Sequence, residues 1–160
     1  MTRKDLVFIL DDDPVFTDVL RFFLELQGFT NVQCYSNGKE YLNNLYQLPK
    51  LVLMDYVVGD VDGKHLLEET LSFDSDIIAV VISSQQDIET AVETMRLGAF
   101  DYLAKDDLLK PRLEKLFGVI ETLSIKVENI KKRKRKRFVA MLSASVIIGA
   151  VLMLDKYFMH

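Results

Sequence analysis

The chain has 160 residues, 49% of them hydrophobic, which suffices for a packed core and excludes disorder of the whole chain. Its single cysteine, Cys34, excludes an intramolecular disulfide and a cysteine-based zinc cluster, and fits a reducing compartment as a small apolar residue. The net charge of −4 conceals a division: residues 1–130 hold 12 Lys and Arg against 23 Asp and Glu, whereas 131–137, KKRKRKR, hold seven cations, so an acidic body is joined to a segment suited to a different partner.

The opening MTRKDLVFILDDD has an apolar run too short for a signal peptide, and that run stops in acids. Leu6–Leu10, all apolar, reads as a buried parallel strand. Asp13-Pro14 reads as a helix cap with proline at the first helical position. Val15, Val19, Phe22, Phe23 and Leu26 follow at helical spacing, and Gly28 stops the helix. Val32–Tyr35 is a second strand. A turn at Ser36-Asn37-Gly38 leads into a helix over 40–46 that Pro49 ends. Leu51–Met54 is a third strand, closing abruptly in Asp55. A loop through Asp62-Gly63 precedes a short helix over 64–71.

Ile77–Ile82 is the most apolar strand and is expected at the sheet centre; it ends in Ser83-Ser84. Asp87 is a cap candidate for a helix carrying Ile88, Ala91, Val92 and Met95, and Asp101–Ala104 is a fifth strand ending in Lys105. Five strand–helix units in 130 residues imply an α/β, doubly wound parallel sheet with right-handed crossovers.

The last helix carries Leu109, Leu113, Leu116, Ile120, Leu123, Val127 and Ile130 with alternating spacings of four and three, a heptad pattern. Packing on the sheet accounts for the first half. The second half extends beyond what one sheet edge needs, so 109–130 is a candidate for a short coiled coil with a second copy, a homodimer contact poor in complementary flanking charge. Phe138–Leu154 then runs 17 residues without a charge, and extends past Asp155-Lys156 to Tyr157-Phe158. This predicts a transmembrane helix over 138–158, after a compact body over 1–122 and a helical, basic juxtamembrane stretch over 123–137. The basic run puts the body on the cytoplasmic side of the inner membrane and the C-terminus outside, and suits anionic head groups. A buried or signal-like helix, and nucleic-acid binding by KKRKRKR, are the competing readings.

Asp11, Asp12 and Asp55 all stand at carboxyl ends of predicted strands, where open α/β sheets bind ligands. Like charges this close need neutralising, and Mg²⁺ with oxygen ligands is the natural partner. Ser83 adds a hydroxyl and Lys105 an ammonium. Metal carboxylates, a candidate nucleophilic carboxylate, a hydroxyl and a cation make an inventory for phosphoryl transfer. Each also has a plainer reading: Asp12 or Asp13 as a cap, Ser83 as a turn residue, Lys105 as a solvated charge.

ILDDDP, LVLMDYVVGDVDG, VVISS and GAFDYLAK, in this order and spacing, resemble the receiver domain of two-component response regulators over about residues 5–122. The resemblance implies a flavodoxin-like sheet of order 2-1-3-4-5. It implies Asp55 as phosphoacceptor, Asp11 and Asp12 with Asp55 as Mg²⁺ ligands, and the Val57 backbone carbonyl completing the metal shell. It further implies Ser83 and Lys105 as groups contacting the phosphoryl group, with Ser83 and Tyr102 as the switch pair. Two positions depart from the family pattern: Val58-Gly59 replaces the usual Met-Pro, and Asp106 replaces the usual proline after the lysine. A trans bond and a rebuilt loop are therefore expected before Asp106, with Asp106 or Asp107 capping the last helix.

The resulting expectation is a membrane-tethered single-domain response regulator with no DNA-binding or enzymatic output domain, catalysing only its own phosphorylation and dephosphorylation. Its partners would be a sensor histidine kinase or phosphotransfer protein, a downstream protein and the membrane, with no nucleic acid. A pseudo-receiver scaffold binding constitutively and a phosphate sink in a relay are the alternatives.

Overall fold

The computed structural model describes residues 1–59, 61–84 and 88–158, and for 137–140 and 142–158 the backbone only. Residues Met1–Phe117 form one compact unit and the chain from Gly118 onward a second.

In the first unit, β1 (Val7–Leu10), β2 (Val32–Tyr35), β3 (Leu51–Asp55), β6 (Ile78–Ser83) and β7 (Asp101–Ala104) form one parallel sheet in the order β2-β1-β3-β6-β7. This is the expected order of the five principal strands. The higher numbers arise because a small antiparallel hairpin, β4 (Val57–Val58) and β5 (Val61–Asp62), intervenes where a plain loop is expected. Every residue of β1 and β3 is buried, as parallel strands covered on both faces require. Parallel neighbours need crossovers, and helices supply them: α1 (Pro14–Leu26), α2 (Gly38–Asn44), α3 (Gly63–Phe73) and α4 (Ile88–Arg96).

Helix α1 begins as expected. The Asp13 carboxylate accepts hydrogen bonds from the Val15 and Phe16 amides, and proline takes the first helical position. Of the five apolar residues at helical spacing only Phe23 is buried, with Thr17, Leu20 and Leu24, while Val15, Val19, Phe22 and Leu26 are exposed. On α4, Thr94 is buried and Ile88, Val92 and Met95 are exposed. The expected cap at Asp87 lies outside the described residues.

On the other side of the sheet, Phe8, Tyr35 and Tyr41 pack edge to face, with ring centroids 4.8 to 6.2 Å apart. The Tyr41 hydroxyl lies 2.5 Å from Thr70 Oγ1, which itself donates to the Leu66 carbonyl at 2.6 Å. Thr70 has one proton to give, so Tyr41 is the donor to Thr70.

The last helix, α5, is continuous from Leu109 to Phe158. Leu109, Leu113, Leu116 and Phe117 are buried, and the Phe117 ring stacks on Phe23 with centroids 6.0 Å apart. In the second unit Ile120 is buried, whereas Val119, Leu123, Val127 and Ile130 are exposed. The first half of the heptad pattern is thus packing within a monomer. Of the expected transmembrane stretch, 138–158, only the Met141 side chain is described. Among the described residues no helix is long and apolar enough to cross a membrane, and the expected anchor is not supported.

Candidate functional site

The register of the sheet assembles the site. Leu10 pairs with Met54, so the next residues, Asp11 and Asp55, emerge side by side at the carboxyl edge. Asp55 pairs with Ile82, and Ser83, one residue on, pairs with Ala104, which immediately precedes Lys105. Four strands therefore deliver Asp11, Asp55, Ser83 and Lys105 to one edge, and Asp12 joins them from the turn into α1.

Lys105 Nζ donates to Asp11 Oδ2 and to Asp55 Oδ2, each at 2.6 Å. Asp11 is 3% exposed and Asp55 9%, so the pair is shielded from bulk screening. Burial pushes the Asp11 carboxyl above its usual range, although Lys105 and the Asp13 amide, which donates to Asp11 Oδ1 at 3.0 Å, pull the other way. For Lys105, burial works to lower the ammonium's affinity for its proton. The hydrogen bonds to Asp11 and Asp55 together outweigh it, and the lysine is held above its ordinary value. The excess negative charge among three carboxylates and one ammonium is the unresolved electrostatic demand of this site.

Oxygen atoms of Asp11, Asp12 and Asp55 lie within 4.8 Å of one another. A set of hard carboxylate oxygens at this separation fits a Mg²⁺ ion, and receiver domains bind Mg²⁺ at such an acidic pocket. The hairpin supplies a further candidate donor. Gly63 N donates to the Tyr56 carbonyl at 2.7 Å, which makes Tyr56 and Gly63 the hydrogen-bonded pair of the ladder. By antiparallel alternation the next pair, Val57 and Asp62, is not hydrogen-bonded. The Val57 carbonyl is therefore outside the ladder, while its amide donates to Asp55 Oδ1 at 3.3 Å. Glycine is required at position 63, because a Cβ there would run into the Tyr56 carbonyl.

Ser83 is 1% exposed at the end of β6, and Tyr102 is half-buried on β7. The structure thus places every expected site residue at the sheet's carboxyl edge or on the strand leading to it.

Three contributors were not expected from sequence. The Phe16 ring lies under Lys105, with Nζ 4.2 Å from its centroid. Gly59 N donates to Asp12 Oδ2 at 3.0 Å, from a left-handed backbone at φ +58° that suits glycine. Arg112 Nη1 donates to both oxygens of Asp106, at 3.0 and 2.9 Å. Asp106 also accepts from the Leu108 amide at 2.9 Å, which closes the turn leading into α5 and is not the helix cap that was expected, and no described peptide bond is cis. Both departures from the family pattern are therefore used: one tethers a metal-site carboxylate, the other closes the turn after Lys105.

A doubly wound sheet with clustered acids and a lysine at its carboxyl edge defines a phosphoryl-transfer class of site. The chain belongs to the response regulator receiver domain family, whose model matches residues 7–115. Among curated proteins it is 34% identical over 106 residues to the regulatory protein AtoC of Escherichia coli, covering 66% of this chain and 23% of that one. It is 29% identical over 150 residues to the transcriptional regulatory protein FixJ of Bradyrhizobium diazoefficiens, covering 85% and 73%. A crystal structure of a CheY-like receiver domain protein from Methanospirillum hungatei superposes with a TM-score of 0.69 at 22% identity, covering 77% of this chain and 98% of that one. The chain thus spans about a quarter of AtoC and nearly three quarters of FixJ.

Proposed function

We propose that this chain is a response-regulator receiver phosphorylated on Asp55 by the phosphohistidine of a sensor histidine kinase or phosphotransfer protein. The observation that carries the reading is Lys105 Nζ at 2.6 Å from both Asp11 and Asp55, beside the three-carboxylate cluster. Asp55 Oδ attacks phosphorus, the P–N bond breaks, and the imidazole keeps the electron pair and its neutrality by taking a proton. Asp11, Asp12, Asp55 and the Val57 carbonyl would hold Mg²⁺, which would supply charge neutralisation for the transfer. Lys105 bonds the transferred group as it leaves Asp11, and Ser83 donates its hydroxyl to a phosphoryl oxygen. Movement of Ser83 and Tyr102 then biases the face formed by α4, β7 and α5, which binds a downstream protein.

The tether is part of the same proposal and rests on sequence. The uncharged run Phe138–Leu154 follows seven consecutive cations, which favours insertion with the receiver on the cytoplasmic side. Anchoring would raise the local concentration of the receiver near a membrane-bound kinase or target.

The test is incubation of the full-length chain with acetyl phosphate and Mg²⁺, read on a phosphate-affinity gel, with membrane fractionation in parallel. A retarded band absent from Asp55→Asn, in a protein retained by membranes after salt extraction, is expected. No retarded band, together with no spectral response to Mg²⁺ and beryllofluoride, would instead mark a constitutive scaffold. Loss of the protein from membranes in salt would remove the anchor.

A further inference from the structure

In the second unit, α5 carries an apolar stripe that nothing in the chain covers among the described residues. Val119, Leu123, Val127 and Ile130 recur at spacings of four, four and three, and are 44%, 43%, 50% and 53% exposed. At 3.6 residues per turn they share one face over three turns. The residues bordering that face carry no acid. Lys126 lies on one edge and Ser124 on the other, and Lys131 and Arg133 continue the two edges, all on the same helix. The acids of this stretch, Glu121 and Glu128, fall on the opposite face, where Glu128 pairs with Lys132 at 2.8 Å.

This charge pattern discriminates between occupants. In heptad terms Lys126 and Arg133 are g positions and Lys131 is an e position. A parallel second copy would set Lys126 against Lys131. An antiparallel copy would pair like positions, setting Lys126 against its own counterpart, with Ser124 neutral. Either self-pairing brings like charges together along a seam of only four apolar residues, and no acid is available to offset them. A helix with the same apolar period and Glu or Asp at its borders meets the opposite condition at Lys126, Lys131 and Arg133.

We propose that the 119–133 face of α5 is a docking surface for an amphipathic partner helix whose apolar stripe is bordered by carboxylates. The pairing is heteromeric and independent of phosphorylation at Asp55. It would fix the receiver to a second protein through its helical extension, and leave the receiver's own surfaces available.

The test uses the full-length chain in non-ionic detergent and two fluorescent 21-residue heptad peptides, identical at the apolar positions, with Glu or Lys at all e and g positions. Fluorescence anisotropy should show the Glu peptide binding about tenfold tighter than the Lys peptide. Lys126→Glu combined with Lys131→Glu should reverse the preference, and Val127→Asp should abolish binding of both. Undiminished labelling of Asp55 by acetyl phosphate shows that the first unit of each variant is folded. Equal affinity for the two peptides, or no binding of either, would overturn the proposal. So would a Val127→Cys chain that crosslinks to itself as efficiently as it binds the Glu peptide, which would make the occupant a second copy. If Val127→Asp instead impairs only binding to phosphatidylglycerol vesicles, the face is a lipid contact and the proposal fails.

Discussion

The backbone amide of Gly59 reaches across from the acceptor-loop hairpin to Asp12 Oδ2, 3.0 Å away, and so ties an exposed metal-site carboxylate to the loop that follows Asp55. A proline at this position would have no proton to donate. Gly59 sits at φ +58°, and among the described residues beyond its chain neighbours no atom lies within 4 Å of where a Cβ would stand, so backbone strain is what limits substitution there.

Gly59→Ala is expected to cost about 1 kcal/mol in stability and to weaken Mg²⁺ binding several-fold, because relaxing the strain moves the amide off Asp12. Asparagine tolerates the left-handed region better, and Gly59→Asn should retain nearly full affinity. Isothermal titration with Mg²⁺ distinguishes the two. Equal affinity in all three proteins would mean that Asp12 is positioned without this hydrogen bond.

Lys105 is the only cation hydrogen-bonded to Asp11 and Asp55 among the described contacts. Lys105→Ala leaves two buried carboxylates facing each other, and should lower stability by about 3 kcal/mol at neutral pH without Mg²⁺. Burial already raises the Asp11 carboxyl, so protonating it as pH falls relieves the repulsion. The deficit should shrink as pH falls through that raised value, and added Mg²⁺ should also reduce it. Urea denaturation across pH, with and without Mg²⁺, checks both. A deficit independent of pH and Mg²⁺ would point to lost packing on Phe16 alone.

Much of this site is legible in the sequence because each fully buried strand is an unbroken apolar run, and its first charged residue marks the carboxyl edge. Asp11 and Asp55 are found in that way, Lys105 follows the partly buried β7, and a parallel register brings the three together whatever the loops do. The hairpin of 57–58 with 61–62 is not legible, since two-residue strands carry no periodicity. Helix α1 misleads for a different reason. It is apolar on two faces, and spacing alone gathers Val15, Val19, Phe22, Phe23 and Leu26, of which only Phe23 is buried, beside Leu20 and Leu24. The signal that breaks the tie is the polar Thr17, buried with its hydroxyl 3.4 Å from the Asp11 carbonyl, which no apolar count detects. The roles of Phe16 and Gly59 depend on residues distant in the chain and emerge only when the strands are assembled.

The two faces of α1 predict opposite outcomes for adjacent phenylalanines. Phe23 is 7% exposed against Phe117, and Phe23→Ala should destabilise by about 3 kcal/mol. Phe22 is 62% exposed, and Phe22→Ser should stay within about 0.5 kcal/mol of the parent. Thermal unfolding of both variants checks the assignment, and a larger loss for Phe22→Ser would contradict it.

Burial drives the Tyr41 hydroxyl well above its ordinary value of 10.0, with the Thr70 hydrogen bond acting in the other direction. The folded pKa exceeds the unfolded one, so the contribution is complete below the unfolded value and is lost as pH rises from about 10 toward the folded value. Stability should therefore fall in alkali, and Tyr41→Phe should reduce that dependence while costing about 1 kcal/mol at neutral pH for the lost hydrogen bond. Denaturation midpoints at neutral and alkaline pH provide the check. An unchanged alkaline slope in the variant would assign the titration to another group.

The most direct test of the central claim is intact-mass and peptide mapping of the full-length chain after acetyl phosphate treatment in Mg²⁺. One phosphoryl adduct is predicted, on the peptide containing Asp55, labile to hydroxylamine as an acyl phosphate, and absent from Asp55→Asn and from the chelated protein. A hydroxylamine-stable adduct on a serine or threonine, or an adduct that persists in Asp55→Asn, would contradict the assignment of Asp55 as the phosphoacceptor.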